Sequence, residues 1–279
     1  MKLLVVTNSP SQEQQYLKFA CELAKATDGF LHVLHILKDH EEGDTSSTEP
    51  LWSGGTVRFL ELFKWHYGII CNYEIACGSV HDAVIRTARK IEADLILMEN
   101  TRDNSATLVP APISRIACES KAPLLTVPSV GAFSQIRKIV FVTNEYEDDL
   151  KECAMLIPLA NSLGAQLVGV HVVNRFEDEL GDVEQLTSII GTRAKSMMER
   201  AVSRGIQFEE YQHTDLMEGV SSFIDEECAD AIALSVENST LFGRLAERHL
   251  TKESPYWADV PIILLHSSDS LHDRTIKMK

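Results

Sequence analysis

The sequence predicts an α/β fold built twice, as two tandem domains that are each a parallel sheet with helices on both faces. Three observations carry this. Continuous apolar runs such as "KLLVVT" and "KIVFVT" read as strands buried on both faces, since a strand with one wet face alternates instead. These runs alternate strictly with segments of helical period, so successive strands join by right-handed crossovers. The second half of the chain also repeats the first at one fixed interval.

That interval is 136 residues, the difference between Asn144 and Asn8, which close the two matching runs. His35 and His171, ending "FLHVLH" and "QLVGVH", stand at the same spacing. So do Ala93 and Ala229, which open "ADLILM" and "ADAIAL", and Leu23-Ala24 with Leu159-Ala160. Four landmarks in one register identify a tandem duplication.

In the first copy "KLLVVTN" is the first strand. "SQEQQYLKFACELAKATDG" is a helix, with Ser9 or Ser11 to cap it and Gly29 just past its end. "FLHVLHIL" is the second strand, and the polar stretch through residues 38 to 55 is a flexible loop before a helix in "TVRFLELFKWHYG". "IICNYEIAC" is the third strand, and Gly78-Ser79 opens the helix "VHDAVIRTARKIEA". "DLILMEN", "PISRIACES" and "APLLTVP" complete the copy as strand, helix and strand. The second copy runs "KIVFVTN", helix, "AQLVGVHVV", a long helix over about 183–204, "IQFEEYQH", helix, "ADAIALS", helix and "DVPIILLH". The domains are placed at residues 1–128 and 137–266, joined by a Pro/Gly/Ser-rich linker at 129–136 and followed by a polar tail at 267–279.

Composition narrows the function classes. An apolar fraction of 44% over 279 residues supports a buried core, and no window approaches a membrane span. The start "MKLLVVTNSPSQEQQ" reads as a strand, not a cleaved leader, so a cytoplasmic address and reduced thiols are expected. The six cysteines form no C-x-x-C pair and no zinc-binding pattern, so no metal is expected. A formal charge of −15 repels phosphate backbones, which argues against nucleic acid and anionic membranes as partners.

An open sheet of this kind takes ligands at the carboxyl ends of its strands, where the strand order reverses. Thr7-Asn8 and Thr143-Asn144 fall at that edge if the first strand is central, with His35 and His171 beside them. On the residues alone a second reading stands: Asn and Thr end strands by bonding their own turns, and the histidines satisfy a backbone group there. "GSVHDAV" gathers Gly78, Ser79, His81 and Asp82 at one helix start. A Ser79 cap and an Asp82 beside the positive helix end account for them. There is no G-x-S-x-G elbow, and no catalytic set is expected. The acidic run "NRFEDELGDVEQL" lacks calcium-loop spacing and reads as a charged helix entry. Trp52 and Trp65 either cover a core or mark a contact surface.

The ordered series of these pieces, above all "ADLILM" and "ESKAPLLTVP", resembles the universal stress protein domain, over residues 1–128 and again over 137–266. The resemblance implies a Rossmann-like, adenine nucleotide alpha hydrolase-like fold with a five-stranded sheet of order 3-2-1-4-5. It also implies that the two domains pair through their fifth strands as an intramolecular pseudo-dimer. Many members of that family bind ATP with an Asp ending the first strand, an apolar residue after the second-strand histidine, and a G-x-x-G-x9-G-(S/T) loop after the fourth. Glycines there let backbone N–H groups approach the phosphates.

This chain departs from that pattern in both copies. The Asp positions are Asn8 and Asn144, and the apolar positions are Ile36 and Val172. After Met98 the glycine positions fall at Glu99, Arg102 and about Pro110, with Ala111 in the Ser/Thr place. Glu99 repels phosphate and Pro110 has no N–H to donate. After Leu234 the first glycine pair is Ser235 and Asn238, and Gly243 stands at the wrong spacing. The expectation is therefore a cytoplasmic, non-enzymatic stress-response protein with no cofactor, acting through protein contacts or an unidentified ligand, and able to homodimerise. The alternative is an ATP-binding switch centred on copy two, with Ser235 and Asn238 as donors and Arg102 meeting an anion in copy one. A weak nucleotide hydrolase is the remaining enzymatic reading.

Overall fold

The structure, a computed structural model, describes residues 1–7, 13–37, 58, 60–62, 64–100, 111–128, 136–143, 149–174, 206–236 and 260–266. The described residues fall into two compact units, one ending at Pro128 and the other beginning at Ile136.

The first unit runs β1 (Lys2–Thr7), α1 (Glu13–Ala26), β2 (Phe30–Leu37), β3 (Ile70–Cys77), α2 (Val80–Ile91), β4 (Leu95–Asn100), α3 (Ala111–Glu119) and β5 (Leu124–Pro128). Its strands pair in parallel in the order β3-β2-β1-β4-β5. The second unit runs β6 (Lys138–Thr143), α4 (Asp149–Leu163), β7 (Gln166–Asn174), β8 (Gln207–His213), α5 (Leu216–Glu226), β9 (Ala231–Ser235) and β10 (Ile262–Leu265). Its order is β8-β7-β6-β9-β10, the same pattern. Both units thus have the expected α/β fold of order 3-2-1-4-5. The first loop, the helix over 183–204, the linker up to residue 135 and the tail lie outside the described residues.

Burial explains the apolar runs. β1, β5, β6, β9 and β10 are buried along nearly their whole length, whereas β3 and β8 alternate exposed and half-buried positions. Strands covered on both faces are continuously apolar; β3 and β8, each at one end of its unit's order, are not so covered and alternate. Trp65 is 89% exposed, so it covers no core.

The duplication extends to individual hydrogen bonds. The Lys2 N–H donates to Asp94 Oδ2 at 2.7 Å, and the Asp94 N–H returns a bond to the Lys2 carbonyl at 2.9 Å. In the second unit Lys138 and Asp230 make the same exchange, at 3.0 Å in both directions. The Asp of each "AD" pair therefore latches the start of the central strand to the strand beside it. α2 and α5 end alike too: Ala93 donates to the Ala88 carbonyl and Ala229 to that of Ile224, each just after a left-handed residue, Glu92 or Cys228.

The units differ in how one core row is filled. Across β1, β2 and β3 the row reads Val5, Val33 and Tyr73, and across β6, β7 and β8 it reads Phe141, Gly169 and Phe208. A Cβ on Gly169 would stand 2.4 Å from the Phe208 ring, so the glycine makes room between two aromatic neighbours. Among the described residues no helix is long and apolar enough to cross a membrane.

Candidate functional site

The carboxyl edge of each sheet gathers the candidate residues that the structure describes. In the first unit Thr7 lies opposite His35, and Met98 on the other side lies opposite Val6. In the second, Thr143 lies opposite His171, and Leu234, the residue before Ser235, lies opposite Val142. Asn8, Arg102, Asn144 and Asn238 lie outside the described residues. Ile36 and Val172 are buried, and by strand alternation they face away from the preceding histidines.

Both histidines are buried and brace the last residue of the central strand. His35 Nδ1 lies 2.9 Å from Thr7 Oγ1. His171 Nδ1 lies 3.1 Å from the Thr143 carbonyl oxygen, which only accepts, so this nitrogen carries the hydrogen and donates. For His171 the backbone-satisfying role is thus realised. Burial pushes the His171 imidazole below its ordinary range, against the weaker pull of the Thr143 bond and the Glu210 carboxylate.

His32 is shifted in the same direction, again mainly by burial. Its Nε2 lies 3.2 Å from Glu74 Oε2, and Lys90 Nζ is 3.0 Å from that same oxygen. The linkage follows from both shifts. The unfolded chain takes up these protons near pH 6.5, the folded chain only at lower pH. Stability from the two neutral rings is therefore complete above that value and is lost as pH falls below it. Urea unfolding followed by circular dichroism should show a lower midpoint at pH 5.5 than at pH 7.5; an equal or higher midpoint at pH 5.5 would contradict this.

The edges of the two units differ in charge. Glu99 and Ser235 occupy equivalent places, 136 residues apart, opposite Val127 and Leu265 respectively. Ser235 is buried and neutral, whereas Glu99 is a half-buried carboxylate. Beneath it the Tyr16 side chain of α1 is wholly buried. That burial first, and the Glu99 carboxylate second, hold its phenol well above the ordinary range.

"GSVHDAV" turns out to be structural. Ser79 caps α2 by accepting from the Asp82 N–H at 3.4 Å. His81 sits between carboxylates of two helices, with Nδ1 hydrogen-bonded to Asp82 Oδ1 at 3.0 Å and Nε2 3.0 Å from Glu119 Oε2 of α3. Burial pushes the Cys21 and Cys71 thiols up to about 12 and about 11, which removes them as nucleophiles at neutral pH. Among the described residues no group of three His, Cys, Asp or Glu side chains can hold a metal ion.

Two features went unread in the sequence. The Asp94 and Asp230 latches carried a usable signal, because their partners Lys2 and Lys138 keep the same 136-residue spacing. The approach of Tyr16 to Glu99 left none, since those residues are joined only by packing.

Residues 1–128 match the universal stress protein family. Two solved structures share the fold over nearly the whole chain. A functionally unknown protein from Pseudomonas aeruginosa PAO1 superposes with a TM-score of 0.66 at 18% identity, covering 99% of this chain and 97% of its own. A universal stress protein from Archaeoglobus fulgidus gives 0.59 at 14% identity, covering 96% and 97%. The cytoplasmic domain of a prokaryotic cation chloride cotransporter gives 0.50 at 10% identity, covering 95% and 94%, so the same architecture also serves a transporter. No curated protein matches the chain by sequence.

Proposed function

Because residues 1–128 match the universal stress protein family and the second unit repeats their fold, we propose that this chain is a tandem stress-response protein that works without the family's phosphate-holding loop. It acts in the cytoplasm through contacts with other proteins or through a ligand other than ATP, and it is not an enzyme. The observation that carries this reading is Glu99, a carboxylate at the first glycine position of the loop, close enough to Tyr16 to raise its phenol. Backbone N–H groups and a helix end attract phosphate there in an ATP-binding domain; a fixed negative charge opposes it.

A second reading rests on the other unit. Ser235 stands where the first unit has Glu99, so the second edge lacks that repulsion and supports a nucleotide-binding switch with hydroxyl and amide donors. One experiment separates the two. Protein purified without added nucleotide is denatured and the supernatant assayed for adenine, and a parallel sample is titrated with ATP and magnesium. The expected result is no adenine released and no saturable binding in the micromolar range. Release or micromolar binding would overturn the first reading, and its loss in Ser235→Glu would locate the nucleotide in the second unit.

A further inference from the structure

The first unit carries a groove of about 770 Å³ at the end of the sheet opposite the histidine ledge, between the last turns of α2 and the chain from α3 into β5. That volume suits a small organic ligand. Ile85, Ala88 and Ala122 give it an apolar floor. Three carboxylates line it, and each is engaged. Glu92 Oε2 is 3.0 Å from Lys2 Nζ, and Asp94 Oδ2 accepts the Lys2 N–H. Glu119 pairs with Arg115 at 3.5 Å, and His81 Nε2 lies 3.0 Å from its other oxygen.

Two cations on the same walls are differently placed. Among the described residues no hydrogen bond or ion pair engages the side chains of Arg89 and Lys121. Among the described residues the side chains of Arg58, Arg86 and Arg137 are likewise without a hydrogen bond or ion pair; what sets Arg89 and Lys121 apart is that both line one apolar-floored groove. The helix end does not require them either. α5, the counterpart of α2, has no basic residue in its last turn, and Asp225 stands where α2 has Arg89.

We propose that this groove binds a small organic anion, a carboxylate or phosphate on an apolar body, with the charge between Arg89 and Lys121 and the body over Ile85, Ala88 and Ala122. The site is separate from the ledge and does not depend on whether nucleotide binds there. The geometry asks for charge and apolar surface together: the guanidinium takes an oxyanion in two parallel bonds, and the floor removes the body from water.

The test uses the full chain, labelled for amide NMR and titrated with hexanoate, hexyl phosphate and neutral hexanol. One or both anions should give saturable shifts confined to the groove, and hexanol should bind about tenfold more weakly than the better anion. Which anion binds more tightly identifies the preferred headgroup. The double variant Arg89→Gln, Lys121→Gln should weaken the better anion by about tenfold. Both side chains are exposed, so its unfolding midpoint should match that of the parent. Equal binding of hexanol and the anions, an unaffected double variant, or no saturable shift with either anion would overturn the proposal.

Discussion

Replacing Phe141 with Ala should destabilise the protein by about 3–5 kcal/mol, read as a drop in the free energy of urea unfolding. Phe141 is fully buried at the middle of β6, the central strand of its sheet, between β7 and β9. Its neighbour in register on β7 is Gly169, which has no side chain to fill the space left behind. The cavity term therefore adds to the lost transfer energy and is not relieved by local collapse. The equivalent residue of the first unit is Val5, also fully buried. Val5→Ala removes fewer atoms and lies opposite Val33, so a smaller loss is expected. A Phe141→Ala loss under about 1 kcal/mol would mean that this row is not packed as described.

Gly219→Ala should also destabilise, by about 1–3 kcal/mol, although alanine is ordinarily the better helix residue by about 1 kcal/mol. The sign is decided by contact. A Cβ on Gly219 would stand 2.6 Å from Val172 Cγ1 and 2.7 Å from His213 Cβ. Neither atom swings aside readily, because one belongs to a β-branched side chain and the other is fixed to the backbone. The equivalent helix position of the first unit, 136 residues earlier, is Ala83. Circular dichroism melts of Gly219→Ala and of a compensating Gly219→Ala, His213→Gly variant would check this. A higher midpoint in the single variant would show that α5 stands away from β7.

Much of the architecture was legible in the chain because its signals are local or periodic. Buried parallel strands must be continuously apolar, crossover helices must carry helical period, and a duplication leaves its spacing on every landmark at once. The boundaries read from "FLHVLHIL" coincide with β2, and the other described strands shift by at most a few residues at their ends. The histidine edge followed from the same reasoning, since strand order places it whatever the side chains do. The missing glycines were also plain, because a phosphate loop is a contiguous segment.

What only tertiary structure decided concerns residues far apart in sequence or equivalent in sequence but different in setting. Nothing near Tyr16 in the chain announces Glu99, and nothing near His81 announces Glu119; helix packing brings each pair together. The Asp of "ADLILM" was a repeat marker until Lys2 closed on it from the far end of the unit. The groove at Arg89 and Lys121 exists because two helix ends and two strand starts converge there, and the pairing of its carboxylates among the described residues is decided by that convergence. Sequence by itself determined the fold and the duplication, because each is written in spacing along one chain. The charge of each ledge's surroundings and the existence of the groove belong to the tertiary structure, because electrostatic and packing energies depend on distance in space.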